Sequence, residues 1–321
     1  MRTDSQNEAR ATKRILAVLV ALVVGLAGSA GAQAGRQPLD VVVTLQPWAS
    51  LTSVIGGEHA TVTTLLPAGA SPHAFDPLPS QAVALARADL VLMNGGLDDW
   101  LVRLLEATAT SARHLTLLTA IEFTGIEGAH DHGHDGDDHH SGDDEDEHDG
   151  EALNPHVWLD PVLAAEAVGP IADALAEIDP EHAEEFRSNA AGLHSDLLRL
   201  DEELRSTLQP VAGAPIVPFH DAWVYFARRY DLDIVATLEP FPGREPSAAY
   251  LAATVAQIRS SGVRVIFTER QLNDRTAEVV AESAGVELAV LDPIGGVPGP
   301  NDYFDLLRWN ATIIVEALGS E

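Results

Sequence analysis

Three histidines share one setting: each directly follows a proline or lies two residues beyond one, in what reads as a loop between ordered elements. They are His73 in Leu66-Pro67-Ala68-Gly69-Ala70-Ser71-Pro72-His73-Ala74-Phe75, His156 in Asn154-Pro155-His156-Val157-Trp158-Leu159-Asp160-Pro161, and His220 in Val217-Pro218-Phe219-His220-Asp221-Ala222-Trp223. Neighbouring prolines stiffen the backbone and reduce the entropy lost when a ligand side chain is fixed. Asp292, in Leu291-Asp292-Pro293-Ile294-Gly295, ends a strand-like run and could add a carboxylate. Three imidazoles and one carboxylate form a four-coordinate set suited to Zn²⁺, with Zn–N distances of about 2.0–2.1 Å. A single histidine of this kind is more often a hydrogen-bonded structural residue. Three in matched loops make a ligand set the better reading.

A second feature points the same way. His130, His132, His134, His139, His140 and His148 lie in the stretch AHDHGHDGDDHHSGDDEDEHDG, which alternates imidazoles with carboxylates and has almost no apolar residue to bury. Such a segment cannot build a core, yet it can bind borderline divalent metals loosely. A solvated acidic linker is the plainer alternative, but solvation alone needs no imidazole at this density. The expectation is a loop over 128–151 that holds several weak metal sites and is disordered without metal.

Positioning such residues takes a sizeable scaffold. The chain has 321 residues with 46% hydrophobic content, enough for one large core or two ordinary ones, and two domains is the expectation. The formal charge is −30 and Lys13 is the only lysine, which excludes nucleic-acid binding through phosphate neutralisation. The N-terminus reads as a basic region, then the apolar run ILAVLVALVVGLAGSAGAQA, then a small-residue Ala32-Gln33-Ala34 site. This pattern is expected to be a secretory signal over 1–34, cleaved after Ala34, because the strongly apolar run is too short for a comfortable membrane span. With no cysteine there is neither a disulfide nor an acylated N-terminal Cys, so a free periplasmic protein is expected, not a lipoprotein.

Apolar periodicity predicts alternating strands and helices: strand 40–45, helix 48–55, strand 61–66, helix 80–88 capped by Ser80, strand 90–93 and helix 100–109. Helical periodicity resumes over 163–178, and Pro180 opens a long helix over 181–208 that could span about 40 Å as a stiff rod. A second alternating block follows, with strands at 215–219, 234–238, 263–268 and 287–291, helices at 222–229, 248–260 and 276–284, and a final helix near 303–318. The predicted fold class is α/β, with two lobes each built on a mainly parallel sheet flanked by helices and joined by a long rigid helix. The expected lobes are 38–165 and 211–321, with a helical segment over 166–210. Loops at the carboxyl ends of parallel strands converge on a ligand crevice, so the three histidine loops can face one another.

The motifs Pro-His-x-Phe, Asn-Pro-His-x-Trp-Leu-Asp-Pro, Phe-His-Asp-Ala and Leu-Asp-Pro-Ile-Gly together resemble the periplasmic metal-binding proteins that feed zinc and manganese ABC importers, especially the zinc-uptake branch. The resemblance runs from about Val41 to the C-terminus. It implies that His73, His156 and His220 are zinc ligands, that Asp292 matches a position supplying a carboxylate in many members, and that a His-rich acidic insertion ahead of the second ligand is typical. Manganese members carry Glu where His220 stands, and three imidazoles suit zinc better than that harder ion; copper and other late divalent ions would also bind. The chain departs from the pattern at Pro72, where some zinc members have Glu, which favours Asp292 or water as fourth ligand. It also lacks a disulfide that many zinc members carry in the second lobe, and has Arg270 where the family's Thr-Glu-Pro-Gln has proline. Glu269, in that motif, is either a hydrogen-bond acceptor for a ligand histidine or an ordinary loop carboxylate.

The implied role is a monomeric, non-enzymatic carrier that captures Zn²⁺ and hands it to a membrane permease, or does the same for Mn²⁺ or another divalent metal. Its affinity should fall below about pH 6 as imidazoles protonate near their ordinary pKa of about 6.5. A periplasmic zinc hydrolase with Glu269 as general base is the competing class, although no His-Glu-x-x-His helix is present. A metal buffer or adhesin working mainly through the acidic segment is a third. His59, His114, His182 and His194 lack partner motifs and read as surface or packing residues; Trp158 and Trp223 read as core anchors, and Asp160 and Asp221 as caps or acceptors.

Overall fold

In the computed structural model the described residues are 37–108, 110–126, 153–240, 243–296, 299–300 and 302–319. The expected signal over 1–34 and the six histidines between His130 and His148 lie outside them. No helix among the described residues is long and apolar enough to cross a membrane.

The first sheet contains β1 (Leu39–Val43), β2 (Ala60–Thr64), β3 (Leu90–Met93) and β4 (Arg113–Thr116), all parallel, in the order β2-β1-β3-β4. The central strands LDVVV and LVLM are almost wholly buried, as continuous apolar runs must be when helices cover both faces. The second sheet repeats the arrangement with β5 (Pro215–Pro218), β6 (Asp233–Ile234), β7 (Val265–Glu269) and β8 (Glu287–Leu291), in the order β6-β5-β7-β8 and again parallel. The predicted α/β class with two parallel sheets is thus observed.

Helices α1 (Gln46–Gly56), α2 (Pro79–Leu85), α3 (Asp99–Thr108) and α4 (Leu117–Ala120) accompany the first sheet. Next come α5 (Pro161–Ile178) and α6 (Ala183–Leu208), and then α7 (Val224–Tyr230), α8 (Ala248–Ser261), α9 (Arg275–Ala284) and α10 (Tyr303–Gly319). The long rod α6 has 26 residues, and its buried stripe of Phe186, Ala190, Leu193, Leu197, Leu200, Leu204 and Leu208 recurs every three or four positions along the whole length. That stripe packs against α5, α1 and α10, which gives elements of both sheets a common partner. One buried cluster consequently runs from Leu39, Val41 and Trp48 through α5 and α6 to Phe226, Leu291 and Ile314. The outer face of each sheet keeps a smaller cluster, around Val91 and Leu101 in the first and Ile266 and Val280 in the second.

Four sequence expectations shift. Ser80 is not the cap of α2: Pro79 occupies the first turn, Leu78 is the cap position, and Gln81 Oε1 accepts from Leu78 N at 2.7 Å. Proline's fixed φ preorganises a helix start, so it moves the boundary one residue earlier. The short polar run Arg113-His114-Leu115-Thr116 forms β4 because it pairs with β3 in register, which periodicity alone did not reveal. β6 ends at Ile234 instead of continuing to 238, since Leu238 N and Glu239 N turn to Phe219 O at 3.0 and 2.7 Å. The long helix opens at Ala183, two residues late, because His182 N and Phe186 N already bond back to Asp179 O and His182 O.

Candidate metal centre

Each of the three histidines begins or occupies a single 3₁₀ turn: His73 lies within Pro72–Ala74, His156 precedes Val157–Leu159, and His220 precedes Asp221–Trp223. His220 follows the carboxyl end of β5 by two residues, Glu269 is the last residue of β7, and Asp292 immediately follows β8. The second sheet therefore delivers three polar groups from three adjacent strand ends, where parallel sheets place their ligands. The first sheet contributes through Asn94 at the end of β3, whose side chain accepts from Trp48 Nε1 at 2.7 Å and donates to Pro155 O at 3.1 Å. This bond fixes the backbone just before His156. Gly96 beside it has φ +72°, and a Cβ there would stand 3.0 Å from Pro155 Cβ, so a side chain at that position would displace the histidine loop.

The three rings meet. Their centroids are 5.1–5.4 Å apart, and His156 Nε2 is 3.3 Å from both His73 Nε2 and His220 Nε2. One ligand atom from each lies within 4.8 Å of the others, and this is the only such group of three found among the described residues. His156 and His220 are 2% and 3% exposed, and the small cavity they share is closed by Trp158, Glu269, Gln271, Leu272, Pro293 and Ile294.

Hydrogen bonds on the far side of two rings decide which nitrogen faces inward. Asn154 donates its amide nitrogen to Asp221 O and Oδ2 at 2.9 and 3.0 Å, so its oxygen is the atom turned to His156. That oxygen accepts from His156 N at 3.0 Å and from Nδ1 at 2.9 Å. Glu269 Oε1 accepts from His220 Nδ1 at 2.7 Å and from Trp223 Nε1 at 3.3 Å. With Nδ1 carrying the proton on each ring, both Nε2 lone pairs point into the cavity, as a metal ligand requires. Glu269 thus stands behind the His220 ring, in hydrogen-bond contact with it. Asn154 had no assigned role in the sequence reading; its position two residues before His156, where an Asn oxygen caps a turn, was the available signal.

Burial and then the charge of His220 lower the His73 pKa to about 3, and burial followed by His220 and His73 holds His156 well below its usual value. His220 moves up: burial opposes its charge, but Glu269, then Asp221 and Glu239, outweigh burial. His220 is thus the ring that most readily takes up a second proton, at Nε2, while His73 and His156 favour the neutral form.

Asp292 is buried but stands outside the three-histidine group. Its Oδ1 accepts from Gln271 Nε2 at 2.8 Å, Ile294 N at 3.1 Å and Gly295 N at 2.8 Å, and its Oδ2 lies 3.9 Å from Arg270 Nε. The Asp-Pro-Ile-Gly motif is accounted for by this turn, in which Gly295 takes φ +80° to aim its N–H at the carboxylate. Trp158 anchors its loop by donating to Pro293 O at 2.7 Å. Asp160 caps α5 and pairs with Arg229, outside the three-histidine group. His59 and His182 stack on one another at 3.7 Å, a packing role.

The model of the periplasmic zinc-uptake complex component A family, ZnuA, matches residues 41–317. The chain belongs to that family. It is similar to the high-affinity zinc uptake system protein ZnuA of Paracoccus denitrificans, 31% identical over 92% of this chain and 96% of that protein. It is also similar to the zinc-binding protein AdcA of Streptococcus pyogenes serotype M3, at 31% identity over 85% of this chain but 54% of the relative, so the chain spans about half the length of that protein. A crystal structure of ZnuA superposes with a TM-score of 0.73 at 28% identity, covering 87% of this chain and 99% of the other.

Proposed function

We propose that this protein captures a single Zn²⁺ ion in the periplasm through His73, His156 and His220 and delivers it to the membrane permease of an ABC importer. The observation that carries the reading is the convergence of three imidazoles whose Nε2 atoms face one small cavity. Nitrogen donors favour zinc and other late divalent ions over Mn²⁺, which prefers oxygen. The relatives named for zinc binding and zinc uptake support the same cargo.

The carrier is not an enzyme in this reading. A hydrolase would need Glu269 to accept a proton from an attacking water, whereas Glu269 Oε1 is committed to His220 and Trp223. The absence of cysteine supports export by a cleaved signal without acylation, and the carrier acts as a monomer. His130, His132, His134, His139, His140 and His148 form auxiliary weak sites that raise the local zinc concentration.

Isothermal titration of the wild type, of a variant lacking 130–148 and of His220→Ala separates these roles. The wild type should bind one ion tightly and several weakly, the deletion should lose only the weak sites, and His220→Ala should lose the tight site while staying folded. Loss of tight binding on deleting 130–148 would favour the buffer reading.

A further inference from the structure

Gln271 lies two residues beyond Glu269, and its amide orientation is determined chemically. A carboxylate oxygen only accepts, so the atom 2.8 Å from Asp292 Oδ1 is the Gln271 nitrogen. The remaining atom, Gln271 Oε1, is buried and has no hydrogen-bond partner among the described residues. Gln271 lines the cavity of His73, His156 and His220. An acceptor buried without a donor is costly, and native proteins rarely keep one without a reason.

The neighbouring carboxylate explains why the amide stays in place. Asp292 Oδ1 already takes three donors, while Oδ2 faces Arg270, whose guanidinium lies 5.0 Å over the Trp309 ring. The charge of Asp292 is therefore compensated inside the protein without any metal. Asn310 clamps the backbone as well, accepting from Asp292 N at 2.9 Å and donating to Asp292 O at 2.7 Å.

We propose that Gln271 Oε1 is the acceptor for the water expected in the fourth position on the captured ion, and that Asp292 is a positioning residue that orients this amide and is not a ligand. The proposal rests on the three-histidine reading of the site. Once coordinated, a water spends one lone pair on the ion and its protons become strongly polarised, so it needs an acceptor at the cavity wall. Gln271 Oε1 is the unused one. A neutral set of three imidazoles and water also keeps formal charge off the first coordination sphere, leaving Glu269 as the nearest compensating carboxylate.

The test uses the full chain loaded with one equivalent of Co²⁺, with electron–nuclear double resonance recorded in H₂O and D₂O, and zinc affinities from chelator competition. The wild type should show an exchangeable proton coupled strongly enough to sit on a metal-bound oxygen, and Asp292→Asn should keep that signal with less than a tenfold change in zinc affinity. Gln271→Met should weaken zinc roughly tenfold and alter the coupling of that proton, a change that a merely structural role would not produce. No exchangeable proton in the wild type, a loss of tenfold or more in Asp292→Asn, or a Gln271→Met affinity within threefold of wild type would overturn the proposal. Weak binding by the wild type, or tight binding by His220→Ala, would instead remove the three-histidine reading itself.

Discussion

A histidine offers a lone pair to a cation only when its other nitrogen holds the proton, so the acceptors behind the rings matter as much as the rings. Glu269 is that acceptor for His220, at 2.7 Å. Replacing it by Gln keeps an oxygen for Nδ1 but removes the charge, and partners behind a metal ligand typically contribute ten- to hundredfold in affinity. Glu269→Gln should therefore weaken zinc by roughly that factor in a chelator competition, with an unchanged circular dichroism spectrum; an unaltered affinity would refute the role. The pH dependence has a definite sign. His220 has a raised pKa in the metal-free protein, so it carries a proton that zinc must displace, and affinity falls as pH drops through that value. His73 and His156, already neutral, add no slope until far lower pH. Plotting the logarithm of affinity against pH between about 5 and 6.5 should give a slope of about one, whereas three ordinary histidines would approach three. This replaces the simpler sequence expectation of a collective loss below about pH 6. At this scale the histidines were legible because prolines and motif spacing mark them. The behaviour of Asp292 was not, since it depends on where the side chains of Arg270 and Gln271 fall across a gap of some twenty residues.

Secondary-structure elements hold these groups through a few buried polar joints. The joint with the clearest energetic consequence is Asp160, which caps α5 by accepting from Val162 N and Leu163 N and pairs with Arg229 Nη2 at 2.8 Å. Asp160 is 1% exposed, so removing its side chain leaves a partly buried guanidinium with only the more distant Asp201, at 3.9 Å, and uncaps a helix at once. Asp160→Ala should cost about 3 kcal/mol in urea unfolding, near the lower bound for breaking a buried pair. A loss below about 1 kcal/mol would mean that solvent already screens the pair. Strong apolar runs such as Val41-Val42-Val43 and Leu90-Val91-Leu92, and the long amphipathic pattern of α6, were readable from periodicity. β4 and the end of β6 were not, because short edge strands are decided by partners in the sheet and carry little pattern of their own.

At the scale of the whole molecule, the two sheets share one buried cluster that is threaded by α6. A rod packed along its length against α5, α1 and α10 resists wide opening, so metal release should involve a small tilt instead of a hinge swing. Small-angle scattering of metal-free and zinc-loaded protein should give radii of gyration within about 1 Å, and a change of several ångströms would contradict a rod that stays packed. The two-sheet architecture followed from the alternation of strands and helices, while the continuity of the core did not, since it depends on which faces of α5 and α6 meet. The central claim is that His73, His156 and His220 grip one ion. Zinc K-edge absorption of the full chain at one equivalent tests it most directly. The account predicts three imidazole nitrogens at about 2.0–2.1 Å, and a changed spectrum in His220→Ala, where the tight site is lost and the ion is left to weaker sites. A spectrum with fewer than three imidazoles, or one that His220→Ala leaves unchanged, would contradict it.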